Sequence, residues 1–322
     1  MFDYIKQMTK KNDIDKIYNL RKKHLGSLNQ KKIIYYINEA NEDLGFFAMF
    51  RHWLEYLYFA DVCGYVPVIE VGSDFAYSDG VHSDNAFEEY FVQPRISLQE
   101  AKKSSNVIFS SVDHRNMVSL ILTGRFNHYY YNKRYIYLMS KVVQKYMKFN
   151  ERTTRYINSG IEGLGITKCK VLGVHVRGTD FRKQYTNHPV YLHEEEVFEE
   201  IDKIIENYDK LFLATDDNRV LKSFKDKYDK EVLCYYSDVV RGDKNTSVIF
   251  IRNEKERKNN NYLLGLEVIR DMYTLSMCHG LVGGISQVAI CSQIYKMSSG
   301  CKYEDLVIID KGINQNGRDF KR

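Results

Sequence analysis

The run Val171-Leu-Gly-Val-His-Val176, followed at once by Arg177, Gly178, Thr179 and Asp180, constrains the fold more than any other stretch of this sequence. A run that is apolar except for His175 and stops in charged residues predicts a buried parallel strand delivering polar groups to its own C-terminal end. In open α/β sheets that edge is where ligands bind, because the helices covering the two faces leave a crevice just beyond the strand ends. Arg177 suits a phosphate there: its planar fork of donors matches the oxygens, and Gly178 lets another group approach closely. A plain surface ion pair between Arg177 and Asp180 fits the same residues.

The rest of the chain repeats the alternation. Strand patterns at 32–38, 66–71, 106–111, 211–217, 231–236, 281–284 and 306–310 are separated by helical patterns at 46–60, 114–123, 194–208, 262–278 and 287–297. Strands alternating with helices predict β-α-β units and therefore parallel sheets with right-handed crossovers. A length of 322 residues suits two domains, and 44% hydrophobic content can build two cores. A proline-free helix over 126–161 is expected to join them. Residues 1–25 read as an amphipathic helix with Asp13 and Asp15 on its solvated face.

Between the elements, residues 72–85 are rich in Ser, Asp and Gly, which reads either as a substrate-facing loop carrying Asp74, Asp79, His82 and Asp84 or as disorder. The segment 241–261 reads as a charged surface excursion. Gly283 and Gly284 ahead of Ser286 at a helix start supply free N–H groups and a positive dipole end, as a phosphate needs, although an ordinary Ser N-cap looks the same.

A net charge of +5 permits a basic cleft for an anionic ligand without requiring nucleic acid. The six cysteines are scattered, with no C-x-x-C pair and no Cys/His cluster, which predicts reduced thiols and no zinc site. The first twenty residues lack the apolar core of a signal peptide, and no run approaches the ~18 apolar residues of a membrane span. The expectation is a cytoplasmic protein that at most touches a membrane surface.

Three stretches in order, GVHVRGTD at 173–180, LFLATDD at 211–217 and RDMYTLSMCHGLVGGISQV at 270–288, closely resemble the three motifs of GDP-fucose fucosyltransferases, best the α-1,6 group and more loosely the protein O-fucosyltransferases. They cover most of the C-terminal half; the N-terminal half carries only a generic resemblance. The resemblance implies a GT-B architecture, an α/β fold of two Rossmann-like domains facing a cleft. Residues 1–160 would be the acceptor-side domain and 161–322 the GDP-sugar-binding domain, with the C-terminal tail able to pack back on the first. It also implies an inverting transfer from GDP-β-L-fucose to a glycan or lipid-linked oligosaccharide, with no metal and no other cofactor.

Carried over position by position, His175 and Asp271 resemble guanine-side contacts and Arg177 the arginine on the β-phosphate. Ser286 and Gln287, after Gly284, resemble the pair that closes the pyrophosphate pocket. Asp180 matches the aspartate of the first motif, and Asp216 and Asp217 the paired aspartates of the second. With Gly178, these are the expected donor-side residues, Arg177 and Asp180 being the catalytic candidates. The chain departs from the pattern where the family often has a second basic residue (here Gly178) and a lysine (here Phe181), with Arg182 and Lys183 placed to supply the displaced charge. It also has Gln184 and Tyr185 where the α-1,6 enzymes place a glutamate base. Asp180, His188 and Asp74 are then the candidate bases, or, as the resemblance to some protein O-fucosyltransferases implies, no dedicated base exists and charge stabilisation carries most of the rate; Asp74, His82 and His188 are the acceptor-side candidates. Another GDP-sugar donor, a non-catalytic nucleotide-sugar binder, and a phosphate- or nucleic-acid-binding α/β protein are the competing readings.

Overall fold

The computed structural model describes residues 20–39, 44–72, 74–123, 132–248 and 257–315. Asp13 and Asp15, with most of the expected N-terminal helix, and the last seven residues of the tail lie outside them. The chain divides into two compact units, Met1–Arg152 and Thr153–Arg322; the boundary expected at 160/161 falls a short way into the second.

In the first unit, strands β1 (Ile34–Ile37), β2 (Val66–Ile69) and β4 (Val107–Phe109) form a parallel sheet in the order β2-β1-β4. Helix α1 (Phe46–Cys63) crosses from β1 to β2, is buried almost all round, and ends on Gly64, whose φ of 71° is the left-handed cap that favours glycine. α2 (Ala86–Tyr90), α3 (Leu98–Ala101), α4 (Val112–Thr123) and α5 (Lys133–Tyr146) follow in chain order.

The single long helix expected over 126–161 is not formed. α5 stops at Met147, which is extended at φ −100°, ψ 103°. Residues Lys148–Phe149 form β5, antiparallel to β3 (Phe91–Val92), before α6 (Glu151–Leu164) starts. Tertiary pairing overrides helical propensity here: the Phe149 ring stacks on Phe91 at 5.3 Å, and the Asn150 amide donates to the carbonyls of Glu88 and Glu89 at 3.0 and 2.8 Å. Helix also gives way near the N-terminus, where Lys23 and Leu28 make β-bridges to Val107 and Ser104. Among the described residues the loop after β2 is tied down by side-chain hydrogen bonds. Asn85 caps α2 and its side chain accepts from the Val71 amide at 2.8 Å, while the Ser78 hydroxyl donates to Glu89 at 2.6 Å.

The second unit holds β6 (Val171–Val176), β7 (Lys210–Thr215), β8 (Leu233–Cys234), β9 (Gly280–Gly284) and β10 (Leu306–Ile309), all parallel, in the order β10-β9-β6-β7-β8. Helices α7 (Glu194–Asp202), α8 (Asn218–Lys227), α9 (Asn260–Met277) and α10 (Gln287–Ser298) link them. Counted within the unit this is the 3-2-1-4-5 order of a Rossmann fold, and its switch point lies between β6 and β9. The main sheet of each unit is thus parallel, as the alternating pattern predicts, with the short antiparallel β3–β5 pair added in the first. Among the described residues no helix is long and apolar enough to cross a membrane.

Candidate functional site

The C-terminal ends of β6, β7 and β9 carry most of the sequence-predicted residues of the second unit, while Asp271 lies on α9 and His188 in the loop before α7. His175 pairs in register with Gly283, and its Nδ1 lies 3.0 Å from the Ser286 hydroxyl. Ser286 is the N-cap of α10, its Oγ accepting from the Ala289 amide at 3.1 Å, so the positive end of that helix is fixed at the switch point. Gln287 opens the helix half-buried, and Gly284 leaves room for Leu192, whose Cδ1 would lie 2.7 Å from a β-carbon.

Arg177 emerges beside them with 27% of its side chain exposed. Nη2 donates to Asp180 Oδ1 and Nη1 pairs with Asp216 Oδ2, both at 2.7 Å. The Arg177–Asp180 ion pair that the sequence allowed therefore forms, and Asp216 joins it. Asp216 also binds the turn, accepting from the Gly178 amide at 2.8 Å and the Thr179 hydroxyl at 2.6 Å. Thr179 has φ 26°, an uncommon conformation for a β-branched residue that these bonds and the hydrogen bond its backbone N–H donates to Asp217 hold in place.

Asp217 is the hub. Fully buried, it caps α8 and accepts from the Thr179 amide at 3.0 Å, the Arg219 amide at 2.8 Å, Arg219 Nε and Nη2 at 2.9 and 2.6 Å, and Arg182 Nε at 3.2 Å. Burial alone would raise its carboxyl; the Arg219 bonds and the two amides hold it below the usual aspartate value. The close approach that Gly178 permits is to this side chain: a β-carbon at 178 would lie 2.3 Å from Asp217 Cβ. Arg182, expected to lend charge to the donor, instead pairs with Asp217 and Glu194, because two buried carboxylates beside it need a cation. Lys183 lies over the Tyr185 ring at 5.9 Å.

Asp271, on α9, is buried, and its Oδ1 has no hydrogen-bond partner among the described residues. Burial pushes its carboxyl up to about 7, against the pull of Arg241 and Arg270. Arg270 packs on the Tyr236 ring at 3.8 Å and pairs with Asp238 at 2.6 Å. A buried acceptor left open among the described residues, beside two arginines, can accept from a donor on a ligand.

Asp74 and His82 are exposed on the loop after β2 in the first unit. His188 belongs to the second, its ring 6.1 Å from that of Phe181. A polar cluster that sequence reasoning missed occupies the switch point of the first unit, beyond β1 and β4. Arg115 Nη1 contacts His52 Nε2, His52 Nδ1 lies 3.5 Å from Glu39 Oε1, and Arg115 Nε lies 3.7 Å from Glu39 Oε2. Burial would raise Glu39, but His52, Tyr56 and Arg115 hold its carboxyl down at about 2, so it stays ionised. The available signal was charge inside apolar sequence, with Arg51, His52 and Glu55 in FFAMFRHWLEYLYFA. Among the described residues His193, Glu194 and Glu195 set three donor atoms within 4.8 Å of one another, but Glu194 is already ion-paired to Arg182.

Burial pushes His175 down to about 4 from the ordinary 6.5. Between those values the unfolded chain takes up a proton that the folded chain excludes. This contribution to stability is therefore complete above pH 6.5 and lost as the pH falls through the window. Urea unfolding should show a His175 contribution about 2 kcal/mol smaller at pH 5 than at pH 7. An unchanged pH slope in His175→Gln would remove that assignment.

A model of the alpha-(1,6)-fucosyltransferase N- and catalytic domains matches residues 123–304, more than half of the 322-residue chain. The chain belongs to this family. It is a glycosyltransferase of the GDP-fucose fucosyltransferase superfamily. No curated protein matches this fucosyltransferase. Among solved structures, the NodZ alpha-1,6-fucosyltransferase soaked with GDP-fucose is 15% identical, with 82% of this chain and 92% of that one covered at a TM-score of 0.48. The fucosyltransferase NodZ from Bradyrhizobium is 14% identical, covering 83% and 93% at 0.47. POFUT1 in complex with GDP-fucose is 9% identical, covering 88% and 99% at 0.41.

Proposed function

We propose that this fucosyltransferase moves L-fucose from GDP-β-L-fucose to a glycan hydroxyl, with inversion at the anomeric carbon and without a metal ion, in the synthesis of a bacterial surface polysaccharide. The observation that carries the reading is Arg177 at the end of β6 beside the N-terminus of α10, at the switch point of the second unit. The acceptor oxygen bonds to the anomeric carbon as the bond to the β-phosphate oxygen breaks. GDP leaves with the electron pair, and the hydroxyl proton passes to a base. Arg177 and the helix end stabilise the charge that grows on the diphosphate, the load a metal carries elsewhere. Asp180, His188 and Asp74 are the candidate bases; Asp180 would first have to give up its pairing with Arg177.

In this reading the second unit binds the donor and the first the acceptor, where Glu39 and Arg115 offer an acceptor and a donor for sugar hydroxyls. The six cysteines form no disulfide, which fits a cytoplasmic enzyme that at most sits at the inner membrane face. GDP should raise the melting temperature while UDP, ADP and RNA do not; the absence of a GDP preference would sink the donor assignment. Release of GDP from GDP-fucose in the presence of acceptor glycans and EDTA, with an α-linked product by NMR, tests transfer, inversion and metal independence together.

Asp271 gives the reading a pH signature. To accept the two guanine N–H groups its carboxyl must be ionised, and in the free protein that requires a pH above about 7. Affinity for GDP-fucose, whose diphosphate diester does not titrate nearby, should rise by up to about tenfold per pH unit below that value and level off above it. Calorimetry at pH 6 and 8 checks this, and Asp271→Asn should flatten the profile. A flat wild-type profile would exclude the guanine role.

A further inference from the structure

A concavity with its own chemistry lies in the first unit, at the N-terminal edge of the sheet and so at the end opposite to the Glu39 cluster. It is an open cavity of about 410 Å³, bounded by Lys32 ahead of β1, Tyr65 at the start of β2, Asp61 in the last turn of α1, Arg95 ahead of α3, and Lys145 and Tyr146 at the end of α5. Ligand sites of ~300–1,000 Å³ are usual for small molecules, and the lower part of that range suits about one or two sugar rings.

The charge of the cavity is unbalanced. Asp61 is the one carboxylate in its wall, and its Oδ1 is already taken, accepting from the Tyr146 hydroxyl at 2.6 Å and pairing with Lys145. Among the described residues Lys32 and Arg95 enter no ion pair, and the Arg95 guanidinium lies over the Tyr146 ring, 5.4 Å from its centroid. Among the described residues, two cationic groups therefore face a concave space whose one carboxylate, Asp61, is already paired with Lys145. Its wall is otherwise ring-like and apolar, made by Tyr65, Tyr146 and Pro67, and the Asp61 bonds use Oδ1 alone, leaving Oδ2 to accept from a hydroxyl. A bare inorganic anion would use the cations and waste the rest. A pyranose stacks an apolar face on an aromatic wall and donates hydroxyls to a carboxylate.

We propose that this cavity binds an anionic sugar, a pyranose bearing a carboxylate or a phosphate ester, with Lys32 and Arg95 on the acid group, Asp61 on a hydroxyl and the tyrosines against the ring. The site stands apart from the donor site and does not depend on the transfer reading.

Calorimetry on the full chain with D-glucuronate, glucose 6-phosphate, glucose and inorganic phosphate tests it. At least one of the two acidic sugars should bind on the order of tenfold more tightly than both glucose and phosphate, and the stronger of the two names the acid group. The double variant Lys32→Gln/Arg95→Gln, at two exposed positions, should keep its melting temperature and lose on the order of tenfold in affinity, and about 0.5 M salt should weaken binding to the wild type. Glucose or inorganic phosphate binding as tightly as the acidic sugars, no acidic sugar binding at all, or full affinity in the double variant would each overturn the proposal.

Discussion

Arg177→Ala is expected to lower kcat/KM for GDP-fucose by a factor on the order of 100 to 1,000, about 3–4 kcal/mol of transition-state stabilisation, in line with removing a preorganised donor from a developing anion. The effect should fall on kcat more than on KM. In the ground state the diphosphate is already charged and other donors share it, whereas the charge added as the sugar departs needs the guanidinium most. Steady-state kinetics give the split. Arg177→Lys should recover only part of the loss, because an ammonium keeps the charge but not the planar fork that spans Asp180 and Asp216. Unchanged turnover in Arg177→Ala would overturn the role given to this strand end.

The second large effect is on stability. Asp217→Ala should cost on the order of 3–5 kcal/mol of unfolding free energy, since removing one partner of a buried ion pair strands the others. Arg219, Arg182 and the Thr179 amide all converge on this fully buried carboxylate, and α8 loses its N-cap with it. For a unit of this size the melting temperature should drop by roughly 10 °C. Asp217→Asn, which keeps an acceptor but loses the charge, should fall in between. Scanning calorimetry distinguishes the cases, and a wild-type melting temperature in Asp217→Ala would show that the network does not hold the turn.

What could be read from the sequence follows from the range of the forces involved. Val171–Val176 ending in Arg177, and Gly280–Gly284 ending at Ser286, announce themselves because strand burial and helix capping are local. That both ends meet is set by strand order, which the alternating pattern constrains only in class. Arg182 illustrates the limit: its partner Asp217 is 35 residues away, so a charge that looked available to a ligand is consumed internally. The helix expected over 126–161 fails for the same reason, since the pairing of Phe149 with Phe91 that interrupts it has no local signature. Glu39, His52 and Arg115 come from three segments, and only their placement in apolar surroundings hinted that they act as a group.

The two carboxylates on Arg177 also bear on turnover. In the proposed reading, a diphosphate that binds Arg177 has to exchange with the Asp180 and Asp216 pairings of its guanidinium. Part of the intrinsic attraction for the donor is spent displacing an internal competitor, which lowers the apparent affinity for GDP-fucose and for GDP alike. After transfer the same aspartates offer the arginine a partner to return to as GDP dissociates. Built-in competition of this kind trades tightness of binding for speed of release, and its kinetic mark would be weak inhibition of the enzyme by its own nucleotide product.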